Sequence, residues 1–306
     1  MLAAHTDAEV KPASKKPATG THNLGHIAKQ SSNPMSSLWM LWLQNDTTKL
    51  RGDLLLDSPI GEGPKIFNST VFQPVMSFPF KLKEKPFNFI FRPVIQYHST
   101  PIDSSVGNLF GVSPGGIKAD PKLFELADDP WGRTNGFGDT ALMTMIGPSI
   151  EDGFGWGVGI TQIFPTAEHD VLGQEKWQIG PAVLIDYIAP HVGGWNKGLL
   201  VQHWASYAGN DDRANTSLTN TQVFLNYRLS ETEMIGMTPN IIYDWQADGH
   251  DALTLPVGLG YSKVIKMGKI PVRLSAEIQY NIVSPDNVGG DWNLRLMFIP
   301  IVPKLF

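Results

Sequence analysis

The chain contains no cysteine, which excludes a disulfide framework, thiolate chemistry and a zinc ribbon. It is also poor in charge, with 17% Asp, Glu, Lys and Arg against about 25% in an ordinary soluble domain. No run approaches the roughly 18 consecutive apolar residues that a membrane-crossing helix needs. A basic excess is missing as well, and the net charge of −5 argues against nucleic acid as the main partner. What remains is a chain of 306 residues, 42% hydrophobic, with 30 Gly, 23 Pro, nine Trp, 15 Phe and seven Tyr. That much apolar surface excludes disorder over most of the length. The length allows two domains but also fits one large all-β domain.

The N-terminal end reads differently from the rest. Within residues 1–34, the stretch from Asp7 to Gln30 is mostly Lys, Ala, Ser, Thr, Pro and His without periodicity. That composition predicts a disordered tail and leaves residues 35–306 as the folded unit. Met1-Leu2-Ala3-Ala4 is too short for the apolar core of an export signal. If the protein is exported, its signal is expected to have been removed or to lie upstream of this start.

The informative feature of the remainder is a period of two. In Ile270–Ile282 the even positions are Ile270, Val272, Leu274, Ala276, Ile278, Tyr280 and Ile282, while the odd ones are Pro271, Arg273, Ser275, Glu277, Gln279 and Asn281. In Phe87–His98 the apolar face carries Phe87, Phe89, Phe91, Ile95 and Tyr97; the other carries Asn88, Arg92, Gln96 and His98, interrupted by Ile90 and Val94. Thr221–Arg228, Met237–Gln246 and Leu255–Lys263 behave alike, and noisier alternation recurs at Asn68–Phe78, Asp139–Pro148, Gly155–Phe164, Lys176–Tyr187, Trp195–Tyr207 and Trp292–Phe298. A soluble sandwich would alternate too. Three features favour a barrel in a membrane. The segments run roughly 9–13 residues, the length a tilted strand needs to cross a bilayer. Aromatics such as Trp177, Tyr187 and Trp292 sit at the ends of apolar faces, as interfacial girdles do. Short connections (Lys81–Pro86, Ser149–Gly153, Ala189–Gly194, Ser230–Met234, Ile265–Lys269) alternate with longer ones, of which Ser99–Asn135 is the longest.

These segments are eleven, and Leu38–Leu43 supplies a twelfth. The predicted fold is therefore all-β: a transmembrane antiparallel barrel of about 12 strands, outer-membrane type, with short turns periplasmic and Ser99–Asn135 extracellular. Leu38–Leu43 is apolar on both parities, so a short helix in the lumen is the alternative there. The chain ends on Phe306 after an amphipathic segment, which resembles the insertion signal of such barrels, although Pro300, Pro303 and Lys304 depart from it.

In a barrel the polar-face residues are the candidates for function: Arg92, Gln96, His98, Lys176, Asp186, Arg228, Asp244, Arg273, Glu277 and Arg295. Charges at membrane depth are costly unless they face water or a partner, so their shared parity predicts a lumen that is wet or closed by salt bridges. Arg295, on the strand after Glu277, is its expected partner. Twelve strands lie between the filled eight-stranded barrel and the open 16-stranded channel, so a narrow or plugged pore is expected. Two Ser–His pairs invite comparison with hydrolases, His98 with Ser99 and His203 with Ser206. His203 falls on the lipid parity and His98 lacks a visible orienting group, so catalysis is not expected. His169-Asp170 and His250-Asp251 read as solvated loop tips, and Gly155, Gly157 and Gly159 as small inward residues on a curved strand. No metal or cofactor site is expected.

A resemblance adds to this reading. Gly136-Phe137-Gly138-Asp139, Trp177-Gln178-Ile179-Gly180-Pro181, Ala208-Gly209-Asn210-Asp211-Asp212-Arg213, Tyr243-Asp244-Trp245, Leu255-Pro256-Val257, Gly268-Lys269-Ile270-Pro271-Val272, Ser284-Pro285-Asp286 and Trp292-Asn293-Leu294-Arg295 follow one another in an order that resembles a family of bacterial outer-membrane proteins. These are labelled transporters, the MetA-pathway of phenol degradation family, or neuromedin U. The chain departs from the family at Asn210 and in its long Ser99–Asn135 connection. The resemblance implies a transporter in the lipid bilayer of the outer membrane, with a small-molecule permeant, hydrophobic or aromatic compounds being candidates. A structural or surface-interaction barrel with a plugged lumen is the alternative, and a lipid hydrolase a further one.

Overall fold

The computed structural model describes residues 21–53, 65–113, 116–119 and 131–302. Helix α1 (Thr21–Gln30) precedes strands β1 (Trp39–Arg51), β2 (Ile66–Leu82), β3 (Lys85–Ile102), β4 (Phe110–Ser113), β5 (Gly116–Ala119), β6 (Trp131–Phe137), β7 (Thr140–Pro148) and β8 (Gly153–Phe164). They continue as β9 (Lys176–Ile188), β10 (Trp195–Gly209), β11 (Ser217–Arg228), β12 (Glu233–Met237), β13 (Asn240–Asp244), β14 (Leu253–Met267), β15 (Ile270–Val283) and β16 (Gly289–Val302). β4 and β5 pair only with each other. The others form one antiparallel sheet in which β6 and β7 lie in line along β3, and β12 and β13 in line along β11. Each in-line pair counts as one wall strand broken by a short gap, so the wall has twelve. β1 pairs with β16 from Trp39↔Val302 to Arg51↔Gly289, and this closes the barrel and removes its edges.

Parity decides which side of the wall each residue takes. On β8, Phe154, Trp156, Val158 and Ile160 are exposed on the outside, while Gly155, Gly157 and Thr161 are covered. On β15, Ile270, Leu274, Ile278 and Ile282 are exposed, while Arg273, Glu277 and Gln279 are buried. An outer face this apolar has no place in water, and the aromatics along it fall into two rings. One ring, at the long-loop end, holds Tyr97–Phe137, Phe164–Trp177, Tyr243–Trp245 and Tyr280–Trp292, with ring centroids 4.7–5.6 Å apart. The other, at the short-turn end, holds Phe80–Phe87 and Trp195–Tyr227. Rings with an apolar body and a polar edge settle where lipid meets water.

One expectation needs correction. Residues 21–34 are not a disordered tail: α1 and the segment after it fold inside the barrel, where Ser31, Asn33, Met35 and Ser36 are buried. Residues 1–20 lie outside the described residues, as do 120–130 of the long connection. At Leu38–Leu43 the strand alternative holds, since Trp39 opens β1. Its apolar character on both parities has a cause: Met40 and Trp42 face an apolar layer of the lumen instead of a polar one.

Candidate functional site

The lumen is layered, and the lowest layer is the chain's own N-terminal segment. Asn33 Nδ2 donates to Ile150 O (2.9 Å) in the β7–β8 turn, and Asn88 Nδ2 on β3 donates to Met35 O (2.6 Å). Lys29 pairs with Asp152 at 2.6 Å, and Arg273 Nη1 donates to Ser31 O. Glycines make the room. A Cβ on Gly157 would lie 3.0 Å from Met35 Sδ and 2.5 Å from Met145 Sδ; one on Gly147 would lie 2.9 Å from Met35 Cε. Gly157 of β8 and Gly147 of β7 thus seat the plug, which the sequence alone did not reveal.

Above the plug, Met35, Met40, Met143, Met145 and Met297 cluster with Ile90, Leu184 and Leu200. They surround a small chamber of about 70 Å³ whose charged side chains are Arg92, Asp186 and Arg273. Ile90, which reads as an interruption of the polar face, belongs to this layer.

The upper chamber, about 260 Å³, is different in chemistry. Ten side-chain amides reach it: Gln44, Gln73, Gln96, Gln202, Gln222, Gln279, Asn220, Asn240, Asn281 and Asn293. Each amide both donates and accepts. Across one wall they join a charged network. Arg295 Nε donates to Asp46 Oδ1 (2.8 Å) and its Nη1 to Thr238 O (2.8 Å). Glu277 accepts from Thr238 N (2.9 Å), Thr238 Oγ1 (2.7 Å) and Gln279 Nε2 (2.8 Å). Asn293 donates to both Asp46 and Gln279. The Thr238–Pro239 gap between β12 and β13 leaves backbone groups free of the ladder, and Arg295 and Glu277 take them up. Glu277 reaches Thr238 across β14 because Gly258 and Gly260 face it; a Cβ on Gly260 would stand 2.8 Å from Glu277 Cβ.

Loops pack together at the long-loop end. Asp139, in the gap between β6 and β7, accepts from Thr166 N, Ala167 N and Gln174 N, fastening the β8–β9 connection. Arg213 donates to Gly173 O at 2.6 Å and pairs with Glu175 at 3.5 Å. Burial lowers the Arg213 guanidinium below its ordinary pKa, while the Glu175, Asp170 and Asp139 carboxylates oppose that shift. Beneath these loops Leu50, Phe67, Ile102, Val112, Trp131 and Leu172 form an apolar cap.

The residues singled out by parity fall into distinct places. Arg92, Gln96, His98 and Arg295 line the upper chamber, and Arg92, Asp186 and Arg273 the lower one. Arg228 is buried at the short-turn end, donating to Ala189 O. Lys176 and Asp244 are buried at the long-loop ends of β9 and β13, where Asp244 accepts from Gln246 N. Glu277 stands directly opposite Arg295 in the ladder, but the ion pair forms on the other flank. Asp46 also stands opposite Arg295 and takes it. Asp46, Gln73, Thr238 and the plug escaped the sequence reading.

Neither Ser–His pair is assembled. His98 is buried against Phe67, with its Nδ1 unpartnered, whereas Ser99 turns the other way and accepts from Arg133. His203 is paired with Thr219 instead of Ser206. Among the described residues no group of three His, Asp or Glu could hold a metal ion.

A closed twelve-stranded antiparallel barrel with an apolar exterior and a polar lumen defines the class: an all-β barrel of outer-membrane type. Among solved structures, an outer membrane channel from Pseudomonas putida F1 shares the fold, with TM-score 0.56 and 13% identity over 96% of this chain and 100% of that one. The β domain of the Bordetella autotransporter BrkA aligns at TM-score 0.44 and 10% identity over 87% of this chain and 100% of that one. No protein-family model and no curated protein matches the chain.

Proposed function

We propose that the chain is a channel of the bacterial outer membrane for small molecules, closed at its short-turn end by its own N-terminal segment. One observation carries this reading: an amide-lined chamber of about 260 Å³ inside a barrel whose outside is apolar. A barrel serving only as a scaffold has no need of ten amides around an internal chamber, since buried polar groups are costly unless satisfied. The likeness in fold to the Pseudomonas channel supports the reading, as does the resemblance in sequence to transporters of the phenol-degradation family, which points to hydrophobic or aromatic permeants. Short turns would then face the periplasm and the β3–β6 connection the cell exterior. No catalytic role is assigned.

The plug favours a second reading, a barrel sealed for a structural or surface role. Planar-bilayer conductance and liposome uptake on the pure, full-length protein decide between them. The channel reading expects discrete conductance steps and uptake of small solutes. A folded barrel that neither conducts nor takes up solute, with the plug seated or loosened, overturns it.

A further inference from the structure

The two chambers meet at Arg92, which lines both. Its Nε and Nη2 go to a single acceptor, Gln73 Oε1, and among the described residues no carboxylate lies within ion-pair distance of it. The carboxylates of the upper chamber are already committed, Asp46 to Arg295 and Glu277 to Thr238 and Gln279. In the lower chamber Arg273 spends one donor on Ser31 O and leaves Nε unpartnered, and both oxygens of Asp186 are unpartnered too. Lys197 is on the outer parity of β10 and directs its ammonium away from the chamber, over the exposed Tyr187 ring. Asp186 lies low, level with Gly155 near the start of β8, whereas Arg92 is level with Met143. The neck is therefore cationic, and the carboxylate that could oppose an anion sits at the plug end.

An unpaired guanidinium in a low-dielectric site is costly, and its planar fork is suited to a carboxylate. The walls beside and below it are Met40, Trp42, Met143, Met145 and Phe224, apolar and, through the methionines, adaptable in shape. The geometry points to a binding site for a small carboxylate with an apolar body, the carboxylate on Arg92 and the body in the methionine chamber. Asp186 fixes the orientation by repelling a carboxylate placed lower. This rests on the channel reading and names the permeant's chemical class.

Calorimetric titration of the full chain in detergent at low salt tests it with benzoate, its uncharged isostere benzamide, and acetate, which lacks the body. Benzoate is expected to bind at least about tenfold more tightly than either, which is what one charge-assisted hydrogen bond is worth. Arg92→Gln should remove that preference for benzoate over benzamide, and Arg92→Lys should restore part of it. Equal affinity for benzoate and benzamide overturns the site, as does a folded Arg92→Gln that keeps the preference; acetate binding as tightly as benzoate reduces it to a plain anion site and overturns it too. If Arg92→Gln does not fold, the comparison of the three ligands on the unaltered protein still decides. Binding without conductance would instead sink the channel reading and leave the site standing. Conductance without benzoate preference would do the reverse.

Discussion

Asp46 shows what a single side chain does in a closed wall. It stands beside Arg295 across the β1–β16 seam, accepts from Arg295 and Asn293 across it, and accepts from Gln44 on its own strand. Breaking a buried ion pair by removing one partner leaves an uncompensated charge and costs about 3–5 kcal/mol. Asp46→Asn is therefore expected to destabilise the barrel by about 3 kcal/mol, read from urea unfolding in lipid vesicles. Adding Arg295→Gln should recover part of that loss, and a purely additive double variant would show that the pair is not coupled. Arg295 and Glu277 are both buried on the inner face. The order of strands named Glu277 as the partner of Arg295 and passed over Asp46, because a strand has two neighbours and the closing one comes from the far end of the chain.

At the scale of elements, strands were legible and the helix was not. A strand buried on one face must alternate, and the alternation survives in a noisy sequence. Helix α1 has no such constraint: it lies in a lumen that is partly polar, so its weakly hydrophobic sequence looks like a tail. The signal that existed was on the wall, in Gly157 of the β8 glycine run and in the apolar residues of the inner parity, Ile90 and Met143 among them. Gly157 makes room for Met35, and these apolar side chains share its cluster. Gly157→Val places side-chain atoms where Met35 and Met145 now sit. It should loosen the segment, so that trypsin cuts after Lys29 in the folded variant and spares it in the parent, and conductance rises. Tryptic cutting without any rise in conductance would show that the segment is not what closes the pore.

For the whole molecule, the apolar exterior demands lipid. Ile278 is 53% exposed on the outer face of β15, midway along its length. An arginine at the bilayer midplane of a barrel costs about 2–4 kcal/mol, falling towards zero at the interfaces. Ile278→Arg is thus expected to weaken folding into vesicles by about 2–4 kcal/mol, and the same change at Ile270, near the turn, by much less. Equal costs at both positions would contradict the depth assigned to them. The orientation has its own test: an epitope inserted at the exposed Lys83-Glu84 turn should be hidden from antibody on intact cells, and labelling there would invert the barrel.

The seam between β1 and β16 also dictates an order of events during assembly. The plug lies immediately before β1 in the chain, and β1 cannot complete its pairing until β16, the last strand, has arrived. Contacts between such distant parts of a chain form late, because the entropy of closing a long loop must be met first. The segment that fills the lumen is thus available from the start, while the ring that encloses it is finished last. Threading it afterwards through the narrow, turn-bounded end would be slow. The sheet is therefore expected to curl around a segment already lying against its inner face, with the plug as the form on which the wall closes.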